Sequence, residues 1–161
     1  MEEILRLLEK DARYTSKQLA AMTGEEQDKV EEYLAQAEAD GKILGYTAIV
    51  DWDKVEKESD LVTALIEVKI SPQRGEGFDR IAERIYQYDE VESLYLMSGS
   101  FDLAVFISGR TMRDISSFVF GSLATIEGVT GTATHFIMKK YKEKHKIFEK
   151  QEEQEDRLLF V

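Results

Sequence analysis

The stretch Val91–Gly109, VESLYLMSGSFDLAVFISG, decides how this chain is read. It reads as two strands joined at Ser98–Phe101, with Gly99 in the bend and Asp102 just past it. In the second arm Leu103, Val105 and Ile107 fall on one side and Ala104, Phe106 and Ser108 on the other, the period of two that a strand imposes. Both sets are mostly apolar, so packing is expected on both faces: helices of the same domain on one, a partner subunit on the other. A carboxylate beside small, backbone-exposing residues suits a turn that holds something small and polar. A plain hairpin turn uses the same residue types.

Working outward, Leu61–Ser71 alternates through Val62, Ala64, Ile66, Val68 and Ile70 and reads as a strand, followed by a turn-rich loop, Pro72–Gly77, with the chain's only proline. Gly77–Tyr88 is an amphipathic helix with Phe78, Ile81, Ala82 and Ile85 on one side and Asp79, Arg80, Glu83 and Arg84 on the other. After the hairpin, Thr111–Leu123 presents Met112, Ile115, Val119 and Leu123 as a second helix, and Gly128–Tyr141 is a last strand. The order β-α-β-β-α-β predicts an α+β, ferredoxin-like sandwich: four antiparallel strands with both helices on one face. The uncovered face keeps Val62 or Leu65, Tyr95 or Leu96, and Phe106. Such a face is most simply buried by a second copy across a two-fold axis.

Upstream, residues 2–12 form a short amphipathic helix. Thr15 and Ser16 are N-cap residues for a second, Lys17–Met22, which Thr23-Gly24 ends. A third runs from about Glu25 to Asp40, with Gly41 as its C-cap. Lys42–Val50, KILGYTAIV, reads as a strand or short wing. Three short helices with a Thr-Gly turn suit a winged helix-turn-helix, although a helical dimerisation cap would leave the same pattern. The expected organisation is a helix-turn-helix domain at 1–50, a polar linker at 51–60, the sandwich at 61–142 and a charged tail at 143–161 ending in LLFV.

The 161 residues are 43% hydrophobic, enough for real cores, and contain no cysteine, which excludes disulfides and thiolate chemistry. The first residues, MEEILRLLEKDAR, lack the apolar run of a signal peptide, and no later stretch is long enough to span a bilayer, so a cytoplasmic protein without membrane contact is expected. A net charge of −11 argues mildly against nucleic acid. No nucleophile–base pair, paired carboxylates or glycine-rich phosphate loop stands out, so neither catalysis nor a cofactor is expected. His135 and His145 show no metal-ligand spacing. The lysines at 139, 140, 142, 144 and 146 read as a solvated strand end balancing the acidic tail, or as a contact for DNA or an acidic partner.

QLAAMTG, the third helix, DGKILGYTAIVD, LIEVKI, SGSFDL and EGVTGTATHF follow one another without awkward gaps. In this the chain resembles the Lrp/AsnC (leucine-responsive, feast/famine) family of transcriptional regulators, from Ile4 to about Tyr141. The resemblance implies an N-terminal DNA-binding unit and a C-terminal sandwich that binds an amino acid or related effector. It also implies a homodimer, often assembled four to a ring as an octamer. By the same resemblance the effector site is Met97, Ser98, Gly99, Ser100, Phe101 and Asp102, with Thr132 and Thr134. Gly99 would let backbone N–H groups approach an α-carboxylate, Asp102 would accept from an α-ammonium, the threonines would add hydroxyls, and Met97 or Phe101 an apolar wall.

DNA contacts would come from Lys17, Gln27, Asp28, Lys29, Glu32 and Gln36, with Arg6, Lys10 and Arg13 near the phosphates. The chain departs from the family here. Its third helix carries Glu26, Asp28, Glu31 and Glu32 with Lys29 as sole cation, and residues 1–45 hold 6 Lys and Arg against 11 Asp and Glu, a net of −5. Carboxylates are repelled by phosphates, so weak, salt-sensitive DNA binding is expected. The alternative is an effector-sensing assembly module whose degenerate, acidic helix-turn-helix acts through protein contacts.

Overall fold

The computed structural model describes residues 1–55, 61–71 and 77–148. The parts of the linker at 56–60, the loop at 72–76 and the tail at 149–161 lie outside the described residues. The chain divides into two units, Met1–Val50 and Asp51–Val161.

The first unit is three helices: α1 (Glu2–Lys10), α2 (Ser16–Thr23) and α3 (Gln27–Ala39). Thr15 starts α2 through a capping box in which its hydroxyl accepts from the Gln18 N–H while Gln18 Oε1 accepts from the Thr15 N–H at 2.9 Å. Gly24 ends it at φ 75, a left-handed conformation that glycine adopts without penalty, and leaves a tight turn into α3. Ile4, Leu19, Ala20 and Val30 form the buried core, with Leu7, Leu8, Tyr14, Tyr33 and Leu34 around it.

The expected strand or wing at Lys42–Val50 is not a strand. An extended segment becomes a strand only by pairing, and within this unit no neighbouring strand is present among the described residues. Leu44 is 94% exposed, and the Tyr46 hydroxyl donates to Glu38 at 2.8 Å.

The second unit opens with a single 3-10 turn at Trp52–Lys54, inside the expected linker. Its sheet is β1 (Val62–Ile70), β2 (Val91–Leu96), β3 (Leu103–Gly109) and β4 (Val129–Phe136), all antiparallel, in the order β2-β3-β1-β4. Helices α4 (Phe78–Tyr86) and α5 (Met112–Gly121) cover one face. Ala64, Ile66, Val68, Ile70, Leu103, Val105 and Ile107 point to that face and pack on Ile81, Ile85, Ile115, Phe118 and Val119. Full burial of each Val, Leu, Ile or Phe side chain among them contributes about 1.5–3 kcal/mol.

Two expected boundaries move. Helix α5 stops at Gly121 and a 3-10 turn, Leu123–Thr125, carries the buried Leu123. The last strand stops at Phe136 instead of Tyr141, and a small hairpin follows, β5 (Lys142–Glu143) with β6 (Lys146–Ile147), in what the sequence suggested was tail.

Gly128, at the entry to β4, is a position where only glycine fits. It sits at φ 94, and an added Cβ would lie 2.7 Å from Ile81 Cδ1. Gly128→Ala is expected to cost about 2–4 kcal/mol, from the left-handed backbone and from overpacking together. Gly131→Ala, facing open space, should be near neutral. Thermal unfolding of the two variants side by side checks this.

Candidate functional site

The hairpin turn is built by its own backbone. Beyond the last ladder pair, Leu96 with Leu103, the Met97 N–H donates to the Asp102 carbonyl at 2.8 Å, so Ser98–Phe101 is a four-residue loop. Ser98, Gly99 and Ser100 are exposed, and Phe101 and Asp102 half-buried. The Asp102 N–H donates to the Val68 carbonyl at 3.0 Å, and the Ile70 N–H donates to Asp102 Oδ2 at 2.7 Å. The carboxylate therefore does not stand in bulk water. It ties the loop to the end of β1, a partner 32 residues away that no spacing in the sequence names.

Gly99 has nothing within 4 Å of where a Cβ would sit, and its φ lies outside the left-handed region. Nothing among the described residues requires glycine there. A demand for glycine would have to come from outside the protomer, from a ligand or a second copy approaching the backbone.

Thr132 and Thr134 are not brought to this turn. They pair with Val68 and Ile66 and so share the helix-covered face, on the far side of β1 from β3. That separation is two strand spacings, about 9–10 Å. Both pairs lie in the regular part of the ladder, before the irregularity between Lys69 and Ile70, and alternation in β4 alone could not fix which face they share. The groove of about 410 Å³ between α4 and the edge strand β2 is lined by Phe78, Ala82, Tyr86, Leu94 and Leu96 and does not include the turn. Among the described residues, the turn leaves Ser98, Gly99 and Ser100 exposed.

The sheet's other face answers the paired alternatives: Leu65 and Tyr95 lie on it, whereas Val62 and Leu96 follow the helix-facing register. Phe106 stands there against Tyr95, ring centroids 6.1 Å apart and edge to face. Ala104 is beside them, and Glu67 lies 3.3 Å from His135 at the margin. His145 is at the tip of the β5–β6 hairpin, and among the described residues no group of three or more His, Asp or Glu is placed to hold a metal ion.

In the first unit Lys17, Gln27, Asp28, Lys29, Glu32 and Gln36 are all exposed. Several are tied down. Gln27 donates to Glu31 at 2.8 Å, Gln36 to Asp40 at 2.6 Å, and Lys29 pairs with Glu26 at 3.0 Å. Glu31 also accepts from the Ser16 hydroxyl at 2.7 Å, and these bonds, that from Gln27 first, hold its carboxyl below the usual range. Glu31 is thus a clasp between α2 and α3, a role its sequence position did not reveal. Exposed pairs of this kind are worth 0–1 kcal/mol, little enough for a phosphate or a base to displace.

Residues 63–147, more than half of the chain, match the Lrp/AsnC ligand binding domain. The chain belongs to the Lrp/AsnC family. The HTH-type transcriptional regulator YugG of Bacillus subtilis (strain 168) is 46% identical over 147 residues, 91% of this chain and 88% of that protein. FL11 of Pyrococcus furiosus, another HTH-type transcriptional regulator, is 24% identical over 88% of this chain and 89% of its own. Among solved Lrp/AsnC-like folds, the transcriptional regulator NMB0573 from Neisseria meningitidis, in complex with L-Met, superposes with a TM-score of 0.66 at 24% identity, covering 87% of this chain and 88% of that one. The order of helical unit, sheet and covering helices is therefore that of the family.

Proposed function

We propose that this Lrp/AsnC protein is a cytoplasmic DNA-binding transcriptional regulator whose assembly or DNA affinity is set by a small amino acid bound at the Met97–Asp102 turn, where dimers meet. The observation that carries this reading is the turn itself: a glycine that no described residue crowds, beside a carboxylate anchored to β1. Gly99 gives a ligand's α-carboxylate access to backbone N–H groups, and Asp102 offers negative charge to its α-ammonium. The L-Met complex of the neisserial relative supports the ligand class. Thr132 and Thr134 enter the site only when a second copy brings its own β4 to this turn. Occupancy acts by linkage: a ligand that binds one assembly geometry better than another favours that geometry, and the geometry fixes the spacing of the DNA-reading units.

The second reading, an effector-sensing module that acts through protein contacts, is favoured by the intrahelical pairing of Gln27, Lys29 and Gln36. A low-salt gel shift against the chain's own upstream region separates the two. Sequence-selective retardation, altered by an amino acid, is the expected result. Uniform failure to bind at low salt would leave the sensing module.

A further inference from the structure

The hairpin that follows β4 is the most basic part of an acidic chain. Between Lys139 and Lys146 there are five lysines against one glutamate, in a molecule of net charge −11. Lys142 pairs with Ile147 and Glu143 with Lys146, so Lys144 and His145 are the two-residue turn. Both have positive φ, 42 and 68, and they are the only non-glycine residues with positive φ among those described. Two-residue turns with both φ values positive strongly prefer Asn-Gly, and a lysine and a histidine there cost backbone energy. A ladder of two pairs is itself marginal.

Local sequence thus works against this turn, yet the turn sets a lysine and a histidine at an exposed tip. Strain of this kind marks positions held for a purpose beyond folding. Lys140 is engaged, 2.9 Å from Glu143 and 5.5 Å over the Phe148 ring. Lys142, Lys144 and Lys146 are exposed, one on each strand and one at the turn; Lys146 shares a face with its partner Glu143, so Lys142 lies on the opposite face.

We propose that this hairpin, residues 139–146, is a second DNA-contacting surface that grips the phosphate backbone without reading sequence. It supplies the electrostatic attraction that the acidic helix-turn-helix unit, net −5 over residues 1–45, does not. The inference rests on the DNA-binding reading given under Proposed function. A duplex fits better than a lipid surface, because the hairpin projects exposed cations from its tip and both strands and has no amphipathic helix to lie in a headgroup layer.

The test measures fluorescence anisotropy of the full chain on a random-sequence duplex of about 40 base pairs, over roughly 50–200 mM salt. Lys142→Gln, Lys144→Gln and Lys146→Gln combined should weaken binding at the low-salt end about tenfold or more. The slope of log K against log salt should fall by about 2–3, one for each lost phosphate contact. Lys144→Asn with His145→Gly restores a favoured turn, so a loss of affinity there cannot come from an unfolded hairpin. It should lower the slope by about 1.

Lys17→Gln reports on the helix-turn-helix separately. If it weakens binding while both hairpin variants match the wild type in affinity and slope, this inference is overturned and the DNA-binding reading stands. Hairpin variants that lose binding only to phosphatidylserine vesicles would also overturn it. Absence of wild-type binding at the lowest salt removes both readings together.

Discussion

Phe106→Asp is expected to leave the chain folded and to reduce its solution mass to that of a single protomer. Phe106 stands on the sheet face away from the helices, half-buried beside Tyr95 and Ala104, while the core on the opposite face does not use it. A stable homodimer needs on the order of 800 Å² buried per protomer, and the proposed dimer would use the helix-free face around Leu65, Tyr95 and Phe106. An isologous contact across this face would bury two copies of the new carboxylate, each costing several kcal/mol when buried without a partner. The dimer dissociation constant should then rise by a thousandfold or more. Light scattering reads the mass, and unchanged far-ultraviolet circular dichroism shows that the fold persists. A variant that remains a dimer places the interface elsewhere.

The second large effect is a split between two substitutions at Asp102. Its carboxylate accepts the Ile70 N–H at 2.7 Å, and that donor is half-enclosed at the end of the sheet. Asp102→Ala leaves the donor without its acceptor, a loss of about 1–3 kcal/mol. Asp102→Asn keeps an amide oxygen in nearly the same place and should cost under about 1 kcal/mol, since a neutral acceptor is weaker than a charged one. Urea unfolding of both variants gives the comparison. Equal losses would mean that the backbone bond contributes little, and that the charge or the side-chain volume is what matters.

Much of the fold was legible because periodicity is local. Alternation in β1 and β3 named the core-facing residues Ala64, Ile66, Leu103, Val105 and Ile107 without any knowledge of partners. The glycines at 24 and 41 announced helix ends through the left-handed conformations they now show. What escaped depended on partners distant in sequence or on weak local signals. Lys42–Val50 has a strand's composition, but composition does not supply a neighbour to pair with. The β5–β6 hairpin was missed because Lys144-His145 carries none of the Asn-Gly signal that marks such a turn.

The candidate site was legible in part for the same reason. The Met97–Asp102 turn is contiguous and could be read as a unit. The facing of Thr132 and Thr134 depends on their register against β1, which alternation within β4 does not give. The bond from Ile70 to Asp102 joins segments that no spacing rule connects. Glu31 illustrates the converse, since as one of four acids in helix three it looked repulsive to DNA, and its bonds from Ser16 and Gln27 show a structural use.

The claim at the centre is that an amino acid binds at the Asp102 turn, and ligand-induced stabilisation tests it most directly. Each of the common L-amino acids is titrated against the thermal midpoint of the wild type and of Asp102→Asn, the variant that keeps the backbone bond. A ligand at a hundred times its dissociation constant stabilises by about 2.7 kcal/mol, several degrees for a chain of this size. At least one amino acid is predicted to raise the wild-type midpoint by that much while leaving Asp102→Asn unmoved. No shift with any of them, or an equal shift in both proteins, would contradict it.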